Sequence, residues 1–271
     1  MNEVNRTLFI PLYGKARVSK AGILLFDPTA EEIWEAEAFP IRGKSKSKWL
    51  AYNMAMRARV FDDWTKEMLR EYPDALVLHI GCGLDSRCRR VKEPYRLWID
   101  GDFPEVLAIR RKFFPESEIY RMIPLDAAKP EQIAALPDYG TAVVVLEGLT
   151  MYLPPDDLRG FFAALADKYP QVHILADFYT VFGAKASKYK NPVNDVGVRK
   201  LYGVDDPDAL LDGLPVGVVR EHSFTPASLV DELKPAERRV FRFLFTGRVY
   251  RKIYRLYELA APCGTERKEL S

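Results

Sequence analysis

The chain has 271 residues, 48% hydrophobic and 29% charged, with 40 basic against 38 acidic side chains and a formal charge of +2. That mixture excludes a disordered or fibrous chain and leaves room for one large core, or a core with a smaller attached cap. Three cysteines (Cys82, Cys88, Cys263) and three scattered histidines (His79, His173, His222) suit neither a disulfide framework nor the usual zinc spacing, so no metal is expected.

The N-terminus, MNEVNRTLFI, lacks the basic and apolar regions of a secretory signal, and no run of eighteen apolar residues follows; no membrane span is expected, and the cytoplasm is the expected location. Residues 1–56 carry short amphipathic pieces such as DPTAEEIWEAEAF (27–39), which predict a helical cap. From 57 the text turns regular. RARVFDDWTKEMLREY (57–72) places Val60, Phe61, Trp64, Met68 and Leu69 close to a 3.6 period and stops at Pro73, a helix. ALVLHI (75–80) is a nearly continuous apolar run, as in a strand buried on both faces of a parallel sheet.

RLWID (96–100), IYRMIPLD (119–126), TAVVVLE (141–147) and VHILADF (172–178) read as further strands, separated by helices over 104–114, 130–136 and 156–169. This βαβ series predicts an open α/β sheet with helices on both faces, whose ligand pocket lies beyond the C-terminal strand ends. Residues 183–215 are polar and punctuated by glycine and proline, and are expected to form an excursion over the sheet edge. RRVFRFLFTG (238–247) alternates, whereas Tyr250, Ile253, Tyr254, Leu256 and Tyr257 satisfy neither period, so the tail is either a helix or a last edge strand. Three basic clusters, 43–48, 87–90 and 248–255, read mainly as solvated faces and helix caps. A nucleic-acid surface is weakly supported, because no reader motif or stacking platform accompanies them.

The chemistry concentrates in Gly81-Cys82-Gly83-Leu84-Asp85-Ser86, directly after the first strand. A dinucleotide loop would carry a third glycine where Ser86 stands, which disfavours an NAD(P)-dependent oxidoreductase. The next strand ends in LWIDGD, with Asp100 and Asp102 placed to accept ribose hydroxyls of an adenosine. Asp102, Asp126, Glu147 and Asp177 all fall at strand ends. Each alone is an ordinary turn or cap carboxylate, but together they would form an acidic rim better suited to a cationic cofactor than to a pyrophosphate.

LVLHIGCGLDSRCRRV, WIDGDFPEVLAIRRKFFP and VVVLEGLTMYLPPDDL resemble the signature blocks of the leucine carboxyl methyltransferase superfamily, in particular its bacterial branch of tetracenomycin-type polyketide O-methyltransferases. TLFIPLYGKARVSK and RARVFDDW are similar to that branch too, so the likeness runs over about residues 7–180. The resemblance implies a class I, Rossmann-like methyltransferase fold with a mostly parallel seven-stranded sheet, and S-adenosylmethionine as cofactor. By motif it assigns the cofactor's carboxylate to Arg59, the loop glycines to Gly81 and Gly83, the ribose to Asp102 with Asp100 second, the adenine to Asp126, and a place near the cofactor to Glu147.

The expected reaction is O-methylation of a carboxylate, or of a hydroxyl, on a small organic acceptor; a carboxylate is ionised at neutral pH and needs no general base. Tyr152 would face or support methyl transfer, and Asp177 or Tyr179 would serve as base for a phenol. Lys44, Lys46 and Lys48 would steer an anionic acceptor, or form a solvated loop. A methyltransferase-like protein that binds without catalysing is the main rival reading.

Overall fold

The computed structural model describes residues 7–37, 41, 43–190 and 200–261. Its centre is a seven-stranded sheet in the order β3-β2-β1-β4-β5-β7-β6. The strands are β1 (Leu76–Ile80), β2 (Leu97–Asp102), β3 (Tyr120–Pro124), β4 (Thr141–Leu146), β5 (Gln171–Tyr179), β6 (Gly217–His222) and β7 (Tyr254–Ala261). Strands β1 to β5 pair in parallel, and β7 runs antiparallel to both β5 and β6. The apolar run 76–80 is buried at every position, as a strand covered on both faces requires.

Among the described residues the α-helices α1 (Phe9–Lys20), α2 (Pro28–Glu37) and α3 (Lys48–Glu71) precede the sheet. The helix expected over 57–72 begins at Lys48, so position 56, proposed as the end of the cap segment, lies inside a continuous helix. It still ends before Pro73, which supplies no N–H for a further turn. Helices α4 (Arg87–Arg90), α5 (Pro104–Arg110), α6 (Glu131–Ala134) and α7 (Pro155–Lys168) join the parallel strands. Proline opens both α5 and α7, and Asp156 and Asp157 place negative charge in the first turn of α7, where the helix dipole favours it.

Each face of the sheet has its own core. Leu76, Leu78, Val144 and Ile174 meet Phe161, Phe162 and Leu165 of α7 on one side. On the other, Val77, Val143 and Val145 pack with Phe61, Trp64 and Met68 of α3 and with Phe9 and Leu12 of α1.

The described part of 183–215 departs from a surface excursion. Residues 183–190 continue α8 (Val181–Lys190), and Leu201 and Leu211 are buried, the latter in α9 (Pro207–Leu211). The tail resolves into α10 (Ala227–Asp231), α11 (Pro235–Phe245), α12 (Gly247–Arg251) and β7. β7 is no edge strand: β6, which sequence periodicity does not mark, lies outside it. Among the described residues no helix is long and apolar enough to cross a membrane.

Candidate active site

A cavity of about 600 Å³ opens where the order of strands reverses, between the ends of β1 and β4. Gly81 (φ +68°) and Gly83 (φ +52°) shape its loop, in a backbone region that side-chain-bearing residues rarely adopt. A Cβ on Gly81 would also meet Leu149 at 3.1 Å. Both glycines line the cavity.

The two carboxylates of β2 divide. Asp102 lines the cavity and accepts the Gly83 N–H through Oδ2 at 2.7 Å and the Phe103 N–H through Oδ1 at 2.7 Å. Burial raises its pKa against those two hydrogen bonds. Asp100, one rung deeper on the same face, is fully enclosed and does not line the cavity. It accepts from Trp98 Nε1 at 2.9 Å and from Arg110 Nε at 2.9 Å, so it holds β2 to α5 and cannot reach a ribose. Asp126 is not at the cavity either. Its Oδ1 accepts the Ala128 N–H at 3.0 Å, and its own N–H donates to Gln132 Oε1 at 2.8 Å, because β3 has already ended at Pro124 and the carboxylate folds back on its own turn.

The floor is a buried lattice of charge. Glu147, at the end of β4, receives Arg57 Nε at 3.0 Å, Arg87 Nη2, and Lys15 Nζ at 3.8 Å. Burial would raise its pKa, but Lys15, Arg57 and Arg87 together outweigh that and hold it well below the usual carboxylate range. Lys15 also bridges to Asp85. Arg87 and Arg90 both grip Asp62 of α3, at 2.8 and 2.6 Å, and Arg90 reaches Asp27 at 2.6 Å and Asp85 at 3.1 Å. The cluster 87–90 is therefore not a solvated basic face: Arg87 is fully buried. Nor is the rim simply acidic, since Lys15, Arg57 and Arg87 surround Glu147 and Arg57 also reaches Asp177.

Arg59 is not brought to the cavity; its Nη1 faces the Leu24 carbonyl and lies 3.5 Å from Glu232. Arg57 stands there instead. On a helix, two residues are a 200° rotation, so Arg57 and Arg59 point to opposite sides. Leu50, Asn53, Met54 and Arg57 form the lining stripe of α3, with Ser47 at its N-cap, and Pro11, Leu12 and Lys15 that of α1, with Leu8 at its N-cap. Lys15 and Arg57 went unnoticed in the sequence. Lys15 follows Pro11 and Leu12, and Arg57 follows Leu50 and Met54, on one helical face, a spacing readable in the sequence.

The opposite wall is aromatic, with Tyr152, Tyr179, Tyr250, Tyr254 and Phe245. Asp177 is not itself a lining residue. It sits behind Tyr254, whose hydroxyl donates to its Oδ2 at 2.5 Å, while Arg57 Nη1 lies at 3.3 Å and the Gly148 N–H donates to Oδ1 at 2.7 Å. Burial outweighs these donors and pushes the Asp177 carboxyl up to about 6. Burial raises Tyr152 to about 12, so its hydroxyl stays protonated at neutral pH. Burial also lowers His79, beside Arg87 Nη1 at 3.2 Å, which keeps it neutral. The Lys44 side chain falls outside those described, Lys46 offers its carbonyl to Arg17, and Lys48 pairs with Glu237 at 2.9 Å. Among the described residues no group of three or more His, Cys, Asp or Glu could hold a metal ion.

These residues fit an adenosine bearing an amino-acid tail. Each Asp102 oxygen accepts one backbone N–H and keeps a lone pair free for a ribose hydroxyl. Lys15 and Arg57, beside the glycine loop, could meet a carboxylate.

The model of the family described as leucine carboxyl methyltransferase matches residues 11–166, more than half of the chain. The chain is 29% identical over 243 residues to the tetracenomycin polyketide synthesis O-methyltransferase TcmP of Streptomyces glaucescens, covering 88% of this chain and 89% of that one. It is also 29% identical over 201 residues to the S-adenosyl-L-methionine-dependent methyltransferase dpfgK of Gibberella zeae, covering 67% of this chain and 66% of that one. In fold it is similar to a putative methyltransferase from Thermobifida fusca (TM-score 0.55, 14% identity, 91% of this chain and 94% of that one). Magnesium protoporphyrin IX methyltransferase from Synechocystis PCC 6803, solved with bound SAH, is similar too (TM-score 0.51, 13% identity, 91% and 99%). The class I topology, the glycine loop at the strand reversal and the matched residues 11–166 converge: this chain belongs to the leucine carboxyl methyltransferase family and is an S-adenosylmethionine-dependent methyltransferase.

Proposed function

We propose that the protein methylates an oxygen of a small organic acceptor, a carboxylate first of all, held against the aromatic wall. The observation that carries this reading is the division of one cavity into a charged floor and an apolar, tyrosine-rich wall. The relative TcmP, an O-methyltransferase of polyketide synthesis by name, supports the acceptor atom. When bound, S-adenosylmethionine supplies an electrophilic methyl on a sulfonium, and alignment of the nucleophile is the protein's main task. Asp102 would bind the ribose, Gly81 and Gly83 would let the backbone approach, and Lys15 and Arg57 would hold the tail's carboxylate. Among the described lining residues no acid or histidine is set out as a base: Glu147 and Asp85 are tied to cations, Asp102 to two amides, and His79 is buried. A carboxylate acceptor needs none.

One observation favours a hydroxyl acceptor as second reading. Tyr254 stands between the cavity and Asp177, whose pKa of about 6 would let the pair take a proton from a phenol. The test incubates the protein with S-adenosylmethionine and a panel of aromatic carboxylic acids and phenols, following S-adenosylhomocysteine and treating the product with mild alkali. An alkali-labile methyl ester is the expected product. A stable methyl ether whose formation collapses in Tyr254→Phe would establish the second reading, and tight S-adenosylhomocysteine binding with no turnover on any acceptor would leave a binding protein without catalysis.

A further inference from the structure

Seven large apolar side chains stand exposed among the described residues, and three of them, Val240, Phe243 and Leu244, share the helix α11. Single exposed apolar residues are ordinary on a protein surface, whereas a contiguous group marks a contact. Phe243 is 83% exposed, Leu244 48% and Val240 40%. Val240 lies one helical turn from both Phe243 and Leu244, so the three form one patch.

The opposite side of α11 is already committed. Phe241 is fully buried with its ring 6.4 Å from that of Tyr52, while Phe245 stacks on Phe241 at 5.1 Å and on Trp49 at 6.5 Å. Glu237 accepts from Lys48 Nζ at 2.9 Å and from the Tyr52 hydroxyl at 3.0 Å, and Tyr250 of α12 donates its hydroxyl to Asn53 Oδ1 at 2.9 Å. The apolar sector of the helix is therefore wider than the part that the fold uses. Its flank is basic. Residues 234–252 hold seven basic side chains and one acid, so the rest of the chain is net acidic although the whole is +2. Arg238 and Arg242 share the carboxylate of Asp231, at 3.6 and 2.5 Å, and exposed Arg239 has no acidic partner among the described residues.

We infer that α11 docks the protein peripherally on a bilayer bearing anionic phospholipids, with Val240, Phe243 and Leu244 entering the headgroup layer and Arg239 and Arg242 meeting the phosphates. An amphipathic helix with an aromatic apolar face and arginines along its flank is the form that lies in such an interface, where the guanidiniums reach back to the charged layer. The helix lies on the membrane, and none of the described helices crosses one. Charge complementarity selects this occupant over a second copy of the chain, because a two-fold contact centred on the patch would set Arg239 beside its own copy. Phe245, on the inner side of the same helix, lines the cavity, so docking would bring the rim of the site to the lipid surface. Docking of this kind is independent of which oxygen is methylated.

The test sediments the full chain with sucrose-loaded vesicles of phosphatidylcholine, alone or with about one third phosphatidylglycerol, at about 0.1 M salt. Wild-type protein is expected to bind the anionic vesicles at least about tenfold more tightly than the neutral ones, and more weakly as salt rises. Phe243→Ser should weaken that binding about tenfold, the scale of burying one phenylalanine ring, and Arg239→Gln about fivefold, the scale of one basic residue at an anionic surface. Both side chains are exposed, so unfolding midpoints should stay within about 2 °C of wild type. Lys129→Gln, exposed beside α6 on the other side of the sheet, should leave vesicle binding within about twofold. Failure to bind either vesicle, equal binding to both, or full binding by Phe243→Ser would overturn the inference. Without vesicle binding, self-association in sedimentation velocity that Phe243→Ser abolishes would assign the patch to a second copy, and no self-association would assign it to a different protein.

Discussion

The floor and the wall of the same cavity are built by different physics. The floor is held by ion pairs that interlock: Asp62 is shared by Arg87 and Arg90, Glu147 by Lys15, Arg57 and Arg87, and Asp85 by Lys15 and Arg90. The wall is held by ring contacts, Tyr179 on Tyr254 at 4.7 Å and Phe224 stacked on Tyr254 at 4.6 Å. A buried lattice in which each charge has several partners fails as a unit, whereas ring packing degrades one residue at a time. On the proposed reading, cofactor geometry placed on the first would be fixed, and acceptor geometry placed on the second would be free to vary.

The sharpest way to break this contrast is to remove one charge from the floor. Arg87→Met leaves Glu147 and Asp62 short of a partner and is expected to cost about 3–5 kcal/mol, or roughly 10 °C in the unfolding midpoint of a chain this size. Tyr152→Phe in the wall should shift that midpoint by no more than about 2 °C. Equal losses in differential scanning calorimetry would erase the distinction.

Next in size is Asp102→Ala, which removes an ionised acceptor without touching the lattice. Affinity for S-adenosylhomocysteine is expected to fall roughly 10- to 100-fold, matching the worth of hydrogen bonds to a charged group. An unchanged dissociation constant by calorimetry would move the ribose site elsewhere.

A smaller effect belongs to Asp177, where floor and wall meet. Its folded pKa, about 6, lies above the 3.8 of an ordinary aspartate, so between those values the folded state binds more protons than the unfolded state. Its contribution is therefore complete below about pH 4 and declines by roughly 1 kcal/mol per pH unit as pH rises to about 6. Asp177→Asn should remove that slope. Urea midpoints at pH 4.5, 5.5 and 6.5 that differ between variant and wild type by a constant amount would refute it.

The smallest expected change is that of Arg59→Ala. Outside the cavity and partly exposed, it should alter stability by less than about 0.5 kcal/mol and cofactor affinity by less than about twofold. A large loss of cofactor binding would restore Arg59 to the site in place of Arg57.

The parallel half of the fold was legible because its signals are local. A strand buried on both faces reads as an apolar run, and Gly81, Gly83, Asp102 and Glu147 each follow within a few residues of such a run. Asp100 was misplaced because depth along a strand is invisible in sequence: two residues share a face, but only the outer one reaches the crevice. The antiparallel half was illegible for another reason. β6 is largely exposed and so lacks an apolar signature, and the periodicity of β7 is blurred by Tyr254 and Tyr257, which serve opposite faces of the sheet. Asn53 and Tyr250 are 197 positions apart, a pairing that only the folded chain makes.

The place of β7 also sets an order of assembly. Strands β1 to β5 can pair as they leave the ribosome, each beside a neighbour already made, but β7 must enter between β5 and β6 and bring Tyr254 to Asp177. A nascent chain therefore carries its glycine loop and Asp102 well before Phe245, Tyr250 and Tyr254, so the crevice of the parallel strands is synthesised before the part of the wall that closes over it.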